Sequence, residues 1–435
     1  MPPILLGLVG IICLLILLAL RIPIAFALAI IGTVGIVVLE GLQIGIYSLG
    51  NYPFGFLKSW LLVAVPLFLF MGYLATSADV TSQAYETAYK WLGKLPGGLA
   101  IASVAACAAI AATSGSSVAT AGMVGAIAIP EMRKYGYDKK LAAAVTATGG
   151  SLGILIPPSI GLVIYGFLAE ASVGKLLLAG IFPGILVGLI YSIGIILMVI
   201  RKPSLAPKAL TFTWKEKFKS LPNIWGVVVL FLTVIGGIYA GVFTPTEAAA
   251  AGSCMAFFMC LMKNIRKPSV IFSAFDLTAR TTGMILAIVI GASLFTQFLT
   301  LSRIPHWISG VISTLDVNRY WILLAILAVY IPLGMFLDTI SILLITIPIF
   351  ISTIISLDFN PIWFGILVVR MEEISLITPP VGLNVYVIKG VVSDITLDDI
   401  FIGLIPFLIL DFISVGILIA FPEISLWLPS TMIGK

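Results

Sequence analysis

The chain has 435 residues, 60% hydrophobic and 10% charged, with 24 Lys and Arg against 19 Asp and Glu and a formal net charge of +5. With a mean hydropathy of +1.19, this excludes a soluble globular protein, which needs far more polar surface, and points to a polytopic membrane protein. A single histidine, His306, and four cysteines without metal-ligand spacing (Cys13, Cys107, Cys254, Cys260) leave His-based catalysis or a thiolate metal centre little to draw on; no catalytic residue is assigned, and the thiols are expected to be buried.

A helix crossing the hydrocarbon needs about 20 apolar residues. The first such stretch, 3–20, has no basic n-region and no small-residue cleavage site, so it reads as a membrane helix, not a signal peptide. Crossings follow at 22–39 and 60–78, then a polar connector at 79–96 read as an interfacial helix. Residues 97–132 are too long for one crossing and carry TSGSS at 113–117 in their middle. They read as a re-entrant hairpin, whose non-helical tip is tolerated at that depth only against protein or a water-filled cavity. The basic loop RKYGYDKK (133–140) leads to 140–168, interrupted by Pro157 and Pro158, to a crossing at 176–200, and to a basic linker at 201–222. The second half offers crossings at 223–241, 244–263 and 281–301, a connector at 302–319, and a second hairpin at 320–356 with GMFLDT (334–339) at its centre. It closes with a stretch at 360–388 interrupted by Pro379 and Pro380, a crossing at 398–421 and a tail at 422–435.

The order of elements repeats. GGSLGILIPPSIGLVIYG (149–166) answers EISLITPPVGLNVYVIKG (373–390); Pro157 and Pro379 are 222 residues apart, as are Pro23 and Pro245, and Gly115 and Gly334 are 219 apart. The first copy, 1–200, holds five crossings, an odd number, so the second, 223–421, enters from the opposite side as an inverted repeat. The basic residues set the orientation. Eighteen of 24 fall inside if both termini lie outside, five (Lys58, Lys175, Arg303, Arg319, Lys435) fall outside, and Arg370 lies within the membrane.

Interrupted hydrophobic segments at matching places in two halves point to an ion and solute site at the midplane. Sodium, a hard cation, takes several oxygen ligands. Ser114 and Ser116 with carbonyls around Gly149, Gly150, Gly153 and Ile156 form one candidate cage; Gly334, Asp338 and Thr339 with Thr378 form the other. Ser116, Ser117, Pro157, Arg370, Pro379 and Asn384 are the candidate solute contacts. Each element has a plainer reading: Gly149-x-x-x-Gly153 as helix packing, the TSGSS hydroxyls as bonds to the preceding turn, a double proline as a kink. Arg370 is placed either to receive a solute carboxylate or to pair with Glu372 or Glu373, and Asp411 to pair within the scaffold or with a partner subunit. Thr244 and Glu247 have the spacing of a capping box. No G-x-x-x-x-G-K-[ST] motif is present, so ATP is not the direct energy source.

GVFTPTEAAAAG (241–252), TSGSSVATAG (113–122) and LITPPVGLN (376–384), in that family's order along the chain, resemble the large membrane subunit of tripartite ATP-independent periplasmic (TRAP) transporters, of the DctM-like or sialic-acid type. The resemblance implies an all-α elevator with a scaffold and a transport domain in the bacterial inner membrane, coupled to two or more Na+. It also implies two partners, a small four-helix membrane subunit and a periplasmic binding protein that delivers a sialic acid or C4-dicarboxylate type of solute. Ser375 stands where that family's pattern has Gly. A stand-alone sodium/dicarboxylate symporter is the alternative within transport, and a channel the alternative outside it.

Overall fold

A computed structural model describes residues 2–207, 211–264, 268–313, 317–392 and 394–432. Lys208, Arg266, Lys267 and Lys435 of the charge count lie outside the described residues, as does the end of the 422–435 tail. The protein is all-α. In chain order the helices are α1 (Pro3–Ala19), α2 (Ile24–Glu40), α3 (Leu42–Leu57), α4 (Ala64–Ser77), α5 (Val80–Leu92), α6 (Gly98–Ser114), α7 (Ser117–Lys134), α8 (Lys139–Leu155), α9 (Ile160–Leu168), α10 (Val173–Ala179), α11 (Ile181–Arg201) and α12 (Trp214–Ser220). They continue with α13 (Trp225–Phe231), α14 (Gly237–Tyr239), α15 (Pro245–Asn264), α16 (Pro268–Leu301), α17 (Ile304–Ser313), α18 (Arg319–Gly334), α19 (Thr339–Ser356), α20 (Pro361–Ser375), α21 (Leu383–Val391), α22 (Leu397–Ala420) and α23 (Glu423–Ser430).

Local chemistry sets the helix starts. Asp138 accepts from the backbone N–H of Lys140 (2.9 Å) and Leu141 (3.1 Å) to begin α8. The Thr244–Glu247 capping box forms as the spacing predicts, Thr244 N–H donating to Glu247 Oε2 at 2.8 Å and Glu247 N–H to Thr244 Oγ1 at 3.4 Å. Asn360 caps α20 ahead of Pro361, whose missing N–H is harmless at the first helical position.

Among the described residues seven helical segments are long and apolar enough to cross a membrane, and α8 with α9, bent by 43° at the proline break, makes an eighth. The ten expected crossings need revision in detail. α3 occupies a stretch to which no crossing was assigned, α16 starts thirteen residues before 281 and runs for 34, and the tail carries α23. α19, one limb of the second expected hairpin, is itself among the seven. The connectors at 79–96 and 302–319 hold α5 and α17. Cys107 and Cys260 are buried, whereas Cys254 is exposed on α15, because its apolar surroundings there are the helix's outward face.

Packing separates an outer set from an inner one. α2 lies on α16 and α4 on α15, with α1 and α3 completing the outer set. Inside, α6 and α7 pack on each other and on α8; α19 packs on α9 and α20, α18 on α20, α21 on α7 and α8, and α22 on α8 and α11. α4 against α6 and α9, and α16 against α19, are the main joins between the two sets.

Candidate functional site

α6 stops at Ser114 because Gly115 takes φ +63°, a left-handed conformation open to glycine. Ser116 then caps α7, accepting from Ala119 N–H at 3.4 Å. Ser114 shares a 2.8 Å hydrogen bond with Thr120, and Ser117 donates to the Ser151 carbonyl at 3.3 Å. This tip rests on the first break: a Cβ on Gly115 would stand 2.7 Å from the Pro158 carbonyl oxygen. A Cβ on Gly153 would stand 2.6 Å from the Ser116 carbonyl oxygen and 2.8 Å from Ser117 Cα. Gly149 has a different neighbour, with Cys107 Sγ 3.0 Å from its would-be Cβ, so it packs α8 on α6. One glycine of Gly149-x-x-x-Gly153 therefore serves helix packing and the other seats the tip. Gly153→Val is expected to cost about 1–3 kcal/mol by overpacking and to abolish any sodium-induced rise in melting temperature.

At the first break α8 ends at Leu155, Ile156 turns to extended backbone, Pro157 and Pro158 are joined by a cis peptide bond, and Ser159 caps α9 by accepting from Leu162 N–H at 3.2 Å. The second break is longer. α20 ends at Ser375, Pro379 and Pro380 are again joined in cis, and α21 starts at Leu383 without a side-chain cap. Thr378 Oγ donates to the Ile374 carbonyl at 2.6 Å. Gly334 ends α18 against the Ser375 side chain, which occupies the space beside the second tip. Asp338 caps α19: Oδ2 accepts from Ile340 N–H at 3.2 Å, and Oδ1 accepts from the Ser341 hydroxyl.

The two tips and two breaks meet around a cavity of about 130 Å³, lined by Gly115, Ser116 and Val118, by Ile154, Ile160 and Gly161, by Asp338, Thr339 and Ile340, and by Leu376 and Leu383. Leu69 of α4 and Thr281, Met284 and Ile285 of α16 close it from the outer set. The first turns of α7, α9, α19 and α21 all contribute to this wall. Helix N-termini carry about +0.5 of an elementary charge and unpaired N–H groups, which favour an anion. Asp338 already takes the N-terminus of α19, Ser116 that of α7 and Ser159 that of α9; α21, without a side-chain cap, is left to face an anionic group, while the half-buried Asp338 carboxylate and the hydroxyls of Ser116 and Thr339 offer oxygens to a hard cation.

Ser116, Asp338 and Thr339 are thus brought together, whereas Ser114, Gly149, Gly153, Ile156, Gly334 and Thr378 stand behind or beside the cavity. Among the expected solute contacts only Ser116 reaches it. Ser117 and Pro157 are buried, Pro379 is exposed, and Asn384 is buried with Nδ2 donating to the Ala147 carbonyl at 3.3 Å. Arg370 requires correction: it is 0% exposed and bonds within the chain, Nε to Ser414 Oγ (3.0 Å), Nη1 to Glu373 Oε2 (3.1 Å), and Nη2 to Tyr191 Oη (3.0 Å) and Asp411. Of its two sequence readings the ion pair with Glu373 is the one formed, and Asp411 pairs within the chain. The outer-set residues of the wall were not singled out in the sequence. Thr281, whose hydroxyl meets Tyr73 Oη at 3.0 Å, had a usable signal as a polar residue in an apolar run.

Residues 11–424 match the family described as the DctM component of tripartite ATP-independent periplasmic transporters. The chain is 36% identical over 379 residues to the C4-dicarboxylate TRAP transporter large permease protein DctM of Pseudomonas aeruginosa, covering 86% of this chain and 87% of that protein. It is 29% identical over 414 residues to the sialic acid TRAP transporter large permease protein SiaM of Vibrio cholerae (95% and 96% covered), and 30% identical over 378 residues to the ectoine permease TeaC of Halomonas elongata (84% and 86%). Among solved structures, the YdaH transporter of Alcanivorax borkumensis shares the fold at a TM-score of 0.63 and 15% identity, with 98% of this chain and 100% of that chain covered.

Proposed function

This chain belongs to the DctM-component family of tripartite ATP-independent periplasmic transporters and is a large membrane subunit of that kind; from that premise we propose that it imports a carboxylate-bearing solute, driven by sodium, through an elevator movement of its inner helices. The observation that carries this reading is the cavity at which the first turns of α7, α9 and α21, the last without a side-chain cap, meet the Asp338 carboxylate. The helix ends suit the solute carboxylate, and Asp338 with nearby hydroxyls and carbonyls suits the co-transported cation. The relatives named for C4-dicarboxylates and sialic acid support a carboxylate-bearing cargo. The placement of the cavity between inner and outer sets supports the elevator, since a solute held there travels with the inner set as it slides along α4 and α16. The matched order of hairpin, break and crossing in 1–200 and 223–421 supports the inverted repeat.

In this mechanism a periplasmic binding protein delivers the solute, a small membrane subunit braces the outer set, and two or more sodium ions order the tips around the load. The test is uptake of labelled succinate and sialic acid into proteoliposomes holding this chain with its small subunit, with sodium or matched potassium gradients. Uptake that needs both sodium and the binding protein supports the proposal. Sodium-driven uptake without the binding protein makes the chain a stand-alone symporter, and unsaturable sodium-independent flux makes it a channel.

Orientation has its own measurement. With the four native cysteines replaced, Tyr135→Cys is expected to be labelled from the cytoplasm and Asp358→Cys from the periplasm by membrane-impermeant reagents. Labelling of both from one face overturns the inverted arrangement.

A further inference from the structure

Glu372 lies in α20, three residues before the second break, and takes no part in the site above. Its side chain is 0% exposed, and neither carboxylate oxygen has a hydrogen-bond partner. Arg370 is the only Lys or Arg side chain buried among the described residues, and its donors go to Ser414, Glu373, Tyr191 and Asp411, none to Glu372. The titratable groups nearest Glu372 are Asp338 at the head of α19, its neighbour Glu373, and Tyr330 of α18. All three are acids, so none neutralises it. Asp411 of α22 is already shared between Arg370 and Tyr191, and Lys139 and Lys140, at the far end of α8, pair with Asp399. The buried cluster therefore sets one guanidinium against three carboxyl groups. An ionised carboxylate in such a place, without a counter-charge or a donor, is far costlier than a neutral acid.

We infer that Glu372 is a proton-binding site within the membrane interior, a carboxylic acid held in its neutral form beside the second break and separate from the cation oxygens at Asp338. The neutral acid needs no counter-ion. The inference does not depend on which solute is carried or on sodium coupling.

The test is infrared spectroscopy of the full chain with its small subunit in lipid, comparing wild type with Glu372→Gln and Glu372→Met. A carboxylic-acid carbonyl stretch that shifts in D2O is expected in the wild type and is expected to be lost in both variants. Both variants are expected to assemble, because each replaces a neutral side chain by another of similar size. A wild-type spectrum without that band, or a band unchanged in both variants, overturns the inference. So does failure of both variants to assemble, which would mark Glu372 as an ionised group holding a cation. Absence of sodium-driven uptake in all three proteins would instead count against the proposed function and leave the spectral result to stand.

Discussion

Arg370→Met is expected to leave little folded protein. The guanidinium is the centre of a closed cluster that ties α20 to α22 through Asp411 and Ser414, and to α11 through Tyr191. Removing it strands Glu373 and Asp411 as uncompensated buried charges, at about 3–5 kcal/mol, a large share of the 5–15 kcal/mol that typically separates folded from unfolded chains. The measurement is the melting temperature and monodisperse yield in detergent. The companion variant decides the cause: Arg370→Met combined with Glu373→Leu and Asp411→Leu is expected to recover most of the loss, since a buried ionic group replaced whole by apolar side chains is often neutral. A triple variant as unstable as the single one would show that shape, not charge, is what Arg370 contributes.

Asp338→Asn is expected to raise the sodium concentration for half-maximal uptake by about tenfold to a hundredfold, the equivalent of losing one charge-assisted contact of about 1.5–3 kcal/mol. Asparagine still caps a helix, so α19 should begin where it does now and the effect should be confined to the cation. Asp338→Ala removes the cap as well, at about 0.5–2 kcal/mol, and is expected to lower both stability and uptake. Unchanged sodium dependence in Asp338→Asn would mean that hydroxyls and carbonyls alone hold the ion.

Features encoded over a few residues were legible in the sequence. The proline pairs, Gly115, and Thr244 with Glu247 each act on their own backbone neighbourhood, so their spacing alone announces a break, a tip and a cap. Asp338 was legible in kind but not in full: Ser341 three residues on marks it as a helix cap, a bond now seen beside its cavity-facing position. What stayed hidden depends on distant partners. α3, in a stretch to which no crossing was assigned, carries Gly45, Gly50, Gly55 and Pro53 within 16 residues, and it packs on α2 and α16. Arg370 and Asp411 are 41 residues apart on different helices, and nothing local says that they meet. Asn384 likewise bonds to Ala147, 237 residues away.

The two proline turns are alike in sequence and in peptide geometry, yet Pro157 and Pro158 are buried while Pro379 and Pro380 are exposed. A chain whose halves exchange roles, as proposed, would reach its opposite end state by exposing the first turn and covering the second, reusing the same contacts in reverse. Two resting positions built from one vocabulary of contacts lie close in free energy. A membrane potential of 100 mV does about 2.3 kcal/mol of work on each elementary charge that crosses, enough to tilt a balance that even. In the proposed mechanism direction would then come from the ions, while the protein itself stayed close to indifferent.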